Sequence, residues 1–208
     1  MKHHQVTLSA GTTVAQILKW MSENNFTGLE FATGVPATIG GMVYMNFECW
    51  GHEVSSMVDS VYIYQKDHGY RWVTRSEYQV AYRWTSFHEW NCIILKVKLN
   101  LQPLSSEKVK QNMTKYLNER KEKQPVLKPT FGSVFKNPLP KKAGQLVDSL
   151  GLKGTIVGGA LISNQHANFF ENTDNASFDD TFKLIKLIQN KVYTMYNIKL
   201  ECEVQIIQ

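Results

Sequence analysis

The chain has 208 residues, with 43% hydrophobic and 20% charged side chains, so it can bury a real core as one sizeable domain or two lobes and is not a disordered polymer. Its net charge of +5 is mild, and the lysines are scattered apart from a cluster between Lys108 and Lys128 that reads as the solvated face of a helix. No basic stripe interleaved with aromatics is legible, which excludes nucleic acid as a partner, and no apolar run approaches a membrane span.

Cys49, Cys92 and Cys202 are far apart, odd in number and free of CxxC or histidine spacing, which excludes a disulfide framework and a zinc site. A reducing, cytoplasmic setting is expected. His3 and His4 form only a pair, read as a surface tail with no third metal ligand nearby.

Val6 to Leu8 alternates as a short strand, and Thr12 to Asn25 carries Val14, Ile17, Leu18 and Met21 at helical spacing behind Thr12 or Thr13 as a cap. The stretch from Gly28 to Gly51 then supplies five glycines and a proline with no lysine or arginine. Such a density marks either a tight connection or a backbone that lets a flat or phosphorylated ligand approach, although neither GxGxxG nor GxxxxGK[ST] is present. Met57 to Tyr64 reads as a strand, residues 66–69 as a turn, and Tyr70 to Thr74 as its hairpin partner. Asn91 to Leu99 adds another strand. Ser105 or Ser106 caps a helix running toward Lys123, with Val109, Met113, Tyr116 and Leu117 as its apolar stripe, and Gln124 to Pro129 reads as a crossing between lobes.

The second lobe opens with Phe131 to Pro138, followed by a helix from Ala143 to Leu150 stopped by Gly151. A further glycine-rich run leads into HANFFEN, which has strand character. Ser177, with Asp179 and Asp180, starts the longest helix, on which Phe178, Phe182, Ile185, Ile188, Val192 and Met195 keep helical spacing. Leu200 to Ile207 alternates as a closing strand.

Among polar residues, Arg83 lies between Tyr82 and Trp84, suited either to gripping a carboxylate or phosphate or to packing its stem on a sheet. Ser133 follows a glycine that exposes its hydroxyl, or is a turn serine; no GxSxG elbow surrounds it. Alternation puts Glu201 and Glu203 on one face, toward water or toward a site. His166 reads equally as a base or as a satisfied polar residue.

Seven segments in collinear order resemble the UDP-N-acetylenolpyruvoylglucosamine reductase family: V-x-L-x-A-G from Val6, the run from Gly28 to Asn46, Y-R-x-x-S from Tyr82, G-S-V-F-K-N-P from Gly132, A-G-x-L-V-x-x-x-G-L-K-G from Ala143, H-A-N-F from His166 and L-x-x-E-V-x-I-I from Leu200. The resemblance implies an α+β fold: the second half of a PCMH-type FAD-binding domain over 1–128, mainly antiparallel sheet with helices, then an α/β substrate lobe over 129–198 and a closing strand over 199–208 carrying Glu203. It implies FAD as cofactor, NADPH as reductant and UDP-N-acetylglucosamine enolpyruvate as the substrate reduced in peptidoglycan precursor synthesis. Gly34, Pro36, Thr38, Gly40, Gly41 and Asn46 would line FAD. Arg83 would hold the enolpyruvyl carboxylate, Ser133 would protonate C2, Glu203 would polarise the carboxylate end, and Lys136 and Asn137 would hold the nucleotide sugar.

Two departures from the family pattern carry expectations of their own. In the family a subdomain precedes the V-x-L-x-A-G strand, which here follows Met1 almost directly, so a separately encoded N-terminal FAD-binding piece is an expected partner. Phe47, Glu48, Cys49 and Trp50 stand where small residues are usual, so bulk there is expected to crowd the flavin or replace its contacts. The alternative is a flavin-free homologue that binds nucleotide sugars or another protein.

Overall fold

A computed structural model of the protein describes residues 4–207, which form two compact units dividing between Asn118 and Glu119.

The first unit is built on strands β1 (His4–Ser9), β5 (Val58–Gln65), β6 (Gly69–Thr74) and β9 (Cys92–Pro103), antiparallel in the order β1-β9-β5-β6, with the short β2 (Phe26–Thr27) also on β9. Helix α1 (Val14–Glu23) follows β1, capped by Thr13 in a reciprocal box with Gln16. Its Val14, Ile17, Leu18 and Met21 are buried in one core with Val61, Ile63, Val97 and Leu99 of the sheet. The 3.6-residue period of the helix and the two-residue period of the strands thus bury the same cluster. On the other sheet face Tyr62 packs against Trp72, and Lys98 lies over the Trp72 ring at 5.1 Å. This aromatic face is assembled across strands, which hides it from a linear reading. His4, expected in a surface tail, opens β1 with its ring 5.3 Å from that of Phe26, while His3 lies outside the described residues.

The glycine stretch, expected as a turn, contains a helix, α2 (Ile39–Tyr44), capped by Thr38. A side chain at Gly40 would collide with Ala10, whose carbonyl accepts the Gly40 amide at 2.9 Å. Strands β3 (Glu48–Cys49) and β4 (His52–Glu53) follow as a hairpin, and β7 (Val80–Ala81) and β8 (Trp84–Thr85) as another. Helix α3 (Ser106–Lys123) comes after β9, and its Ser106 amide donates to Asn25 Oδ1 at 2.9 Å.

The second unit holds α4 (Ala143–Ser149), the antiparallel strands β10 (Ile156–Val157), β11 (Ala160–Ile162) and β12 (Phe170–Asn172), and α5 (Phe178–Tyr196). Ser177 and Asp180 cap α5 reciprocally, and Asn197 in the left-handed conformation closes it. Its buried face is Leu184, Ile185, Ile188 and Val192, whereas Phe178 and Met195 of the expected stripe are exposed. Only the end of HANFFEN is strand, because His166 to Phe169 closes a turn through the Phe169 amide and the His166 carbonyl. The closing segment is not a strand either. It makes one bridge, Phe135 to Cys202, with the Lys136 amide donating to the Glu201 carbonyl and the Glu203 amide to the Val134 carbonyl.

Residues 133–136 therefore run between two partners. On one side are residues 201–203; on the other, Ser133 bridges Phe169 and the Val134 amide donates to the Asn168 carbonyl. Asn168, 4% exposed, completes the second side with its side chain, donating through Nδ2 to the Phe135 carbonyl at 2.8 Å and accepting the Phe135 amide at Oδ1 at 3.0 Å. Losing both bonds leaves two buried backbone groups unpaired at about 1–3 kcal/mol each. Asn168→Ala is expected to lower the unfolding free energy by about 2–5 kcal/mol in urea titrations; a loss below about 0.5 kcal/mol would contradict this account.

Candidate active site

In the first unit the end of α2 and Asn46 meet the hairpin that carries Arg83. The amides at the start of α2 are engaged within the chain: Ile39 donates to the Thr12 carbonyl, Gly40 to Ala10, and Gly41 to Thr38 Oγ1 at 3.3 Å. Gly34 adopts a φ of 82°, open to glycine at no steric cost. Asn46, just past α2, is 2% exposed with a φ of 43°. Its Nδ2 donates to Glu53 Oε2 at 3.2 Å and to the Ala81 carbonyl at 3.1 Å, while its Oδ1 is buried without a donor. Thr85 Oγ1 donates to the Tyr44 carbonyl at 2.8 Å. These bonds fasten the β7–β8 hairpin to the end of α2.

Arg83 is the second residue of that hairpin's two-residue turn, with a φ of 54° that the turn geometry demands and a non-glycine residue adopts at a cost. Its guanidinium lies 5.0 Å from the ring centre of Tyr82 and 5.9 Å from that of Phe47. Trp84, the other expected neighbour, stacks instead on His88. Phe47 also stacks on Phe31 at 6.0 Å, so the bulk in this segment supports Arg83 and the core. Trp50 and Gly51, with φ of 57° and 76°, form the tight turn of the β3–β4 hairpin. Phe47 is a supporting residue that sequence reasoning did not assign; its place one residue after Asn46 was the available signal.

In the second unit Ser133, Lys136, Asn137 and Glu203 lie on the two paired segments and the turn that follows. The Ser133 hydroxyl makes no hydrogen bond among the described residues, though the backbone at and just after it is fixed by the bridge to Phe169 and by the Asn168 bonds to Val134 and Phe135. Lys136 Nζ is 3.5 Å from Glu201 Oε2, an exposed pair of little energetic weight. Asn137 Oδ1 accepts the Ala143 amide at 3.0 Å, at the start of α4. Glu203 is half-buried next to the Val134 backbone. Asn168, which positions this segment, was missed because the H-A-N-F motif gives no hint that its amide substitutes for a strand neighbour.

His166 accepts the Asn168 amide at Nδ1, 3.2 Å away, and packs on Gly144. Burial, reinforced by the charge of Lys153, lowers its tendency to protonate, so it is a satisfied packing residue. Burial raises the Cys202 thiol, which argues against a nucleophile there. Among the described residues no grouping of three His, Cys, Asp or Glu side chains forms a metal site, and no helix is long and apolar enough to cross a membrane.

Residues 124–207 match the profile described as UDP-N-acetylenolpyruvoylglucosamine reductase, C-terminal domain, and residues 1–70 match an FAD binding domain. The UDP-N-acetylenolpyruvoylglucosamine reductase of Thermotoga petrophila is 38% identical over 207 residues, 99% of this chain and 72% of that protein. The chain belongs to the UDP-N-acetylenolpyruvoylglucosamine reductase family. The enzyme of the same name from Bacillus subtilis is 35% identical over 208 residues, 100% of this chain and 69% of its own. Among solved structures, UDP-N-acetylenolpyruvylglucosamine reductase from Thermus caldophilus superposes with a TM-score of 0.83 at 28% identity, covering 96% of this chain and 71% of that one. The α+β fold with antiparallel sheets is thus that of the reductase family, and the FAD-binding match supports FAD as its cofactor.

Two outcomes follow from this geometry. Because a positive φ suits glycine, Arg83→Gly is expected to be about 1 kcal/mol more stable than Arg83→Ala in urea unfolding; equal stabilities would contradict the turn. His166 has a folded pKa below its unfolded value of about 6.5, so the unfolded chain binds the extra proton. Its contribution is complete above that value and is lost as pH falls below it. Stability measured from pH 7 down to 5 is expected to decline less steeply in His166→Gln than in the parent.

Proposed function

We propose that the chain catalyses reduction of UDP-N-acetylglucosamine enolpyruvate to UDP-N-acetylmuramate with FAD and NADPH, in the cytoplasm, as a step of peptidoglycan precursor synthesis. The observation that carries this reading is Ser133: a hydroxyl without an internal hydrogen bond, on a backbone bridged to Phe169 and followed at once by a segment paired on both sides, is a proton donor kept in place for a substrate.

The residues fit FAD in one testable respect, since the orphaned acceptor of Asn46 lacks the donor that a cofactor edge would bring. Gly34, Pro36, Thr38, Gly40, Gly41 and Asn46 would hold it. Gly40 and Gly41 contribute shape, because their amides are already engaged. When bound and reduced by NADPH, FAD supplies the hydride that reaches C3 of the enolpyruvyl group.

The chain's own residues answer what hydride arrival creates. Negative charge builds on the carboxylate end, and Arg83, its fork held over Tyr82 and Phe47, grips that carboxylate. Ser133 delivers the proton to C2, and Glu203 polarises the carboxylate end of the enol ether. Lys136 and Asn137 hold the nucleotide sugar, with Asn137 set in place by the bond from the Ala143 amide to its Oδ1. The match of residues 1–70 to an FAD binding domain favours this reading over a flavin-free nucleotide-sugar binder.

Ser133→Ala is expected to cut product formation by roughly 10²–10⁴-fold. Its melting temperature should stay at the parental value and NADPH should still bleach the flavin. Wild-type turnover in this variant would overturn the assignment.

A further inference from the structure

The second unit contains a cleft of about 260 Å³ that the proposed reaction does not use, lined by Thr130, Phe131, Phe170, Glu171, Asn172 and Thr181 among others. Glu171 lies on β12 opposite Leu161 and retains 8% of its accessible surface. Its carboxylate has no hydrogen bond or ion pair among the described residues. A carboxylate that is largely enclosed by protein, lines a cleft and has no partner within the chain favours a cation or a set of N–H donors against it.

The remaining lining defines what the partner is. The Phe131 ring, 50% exposed, is nearly perpendicular to that of Phe170 with centroids 6.0 Å apart and contributes an aromatic wall to the cleft. Asn172 Oδ1 is taken by the Ala176 amide and Thr130 Oγ1 by the Gly132 amide, which leaves Glu171 as the strongest acceptor. A metal ion would need further ligands, and no grouping of three such side chains exists among the described residues. The volume falls just under the roughly 300–1,000 Å³ of drug-sized sites, so the occupant is small.

We infer that this cleft binds a small organic monocation, an ammonium, amidinium or guanidinium group on a short apolar or flat body, with Glu171 as its counter-ion and Phe131 against its face. The inference does not rest on the reductase reading, and its test reads binding alone.

Benzamidine is the probe and benzamide its neutral isostere, titrated into the full chain by calorimetry and by ligand-observed NMR. The expected result is saturable one-to-one binding of benzamidine that weakens at least tenfold in Glu171→Gln and several-fold in Phe131→Ala, with benzamide at least tenfold weaker on the parent chain. Glu171→Gln is expected to melt no lower than the parent, since Glu171 has no hydrogen bond or ion pair within the described residues to lose. Absence of saturable binding, equal affinity for benzamide, equal affinity in Glu171→Gln, or a lowered melting temperature in that variant would each overturn the proposal.

Discussion

The second unit depends on one buried side-chain amide. Asn168 pairs with both backbone groups of Phe135, as a neighbouring strand would, at a place where the chain itself is turning between His166 and Phe169. Regular pairing there would need a longer strand and would carry Ser133 into a ladder. A side-chain substitute satisfies Phe135 while leaving Ser133, two residues earlier, at a single bridge with its hydroxyl unengaged. The same segment receives residues 201–203 on its other side, so Glu203 takes its position from the backbone that Asn168 holds.

The first unit uses the same device. Asn46 and Thr85 cross-link the end of α2 to the β7–β8 hairpin through backbone carbonyls, and the Arg83 turn is held in a left-handed conformation by that attachment. Strain of this kind persists where surrounding contacts over-determine the backbone. Phe47 then sets the guanidinium over a second ring, so the arginine is supported by residues from two segments distant in sequence. In both units, polar side chains aimed at backbone groups do the positioning, and the sheet and helices supply a base.

This division explains what could be read from the residues alone. The α1 helix, the β5–β6 hairpin and the α5 cap follow from periodicity and local capping chemistry, which are properties of neighbouring residues. Gly40 was legible as a close approach, but the approaching group is Ala10, and no local signal tells a protein neighbour from a cofactor. The packing of Phe47 against Phe31 and beneath Arg83 was not legible because Arg83 is 36 positions away. Alternation in Leu200 to Ile207 was real, with Leu200 buried and Glu201 exposed, yet a single bridge replaced the expected strand because the partner segment bends at Val134. The roles of Asn168 and Glu171 depend on burial, which a single sequence does not reveal for a polar residue.

We propose that FAD is held by the region that begins at the glycine stretch and ends at Asn46. Titrating FAD into the purified full chain while recording flavin absorbance and fluorescence tests it most directly. A shifted absorbance band and a fluorescence change that saturate at one FAD per chain are expected, with the affinity weakened in Asn46→Ala. A flavin spectrum identical to that of free FAD at every protein concentration would contradict it.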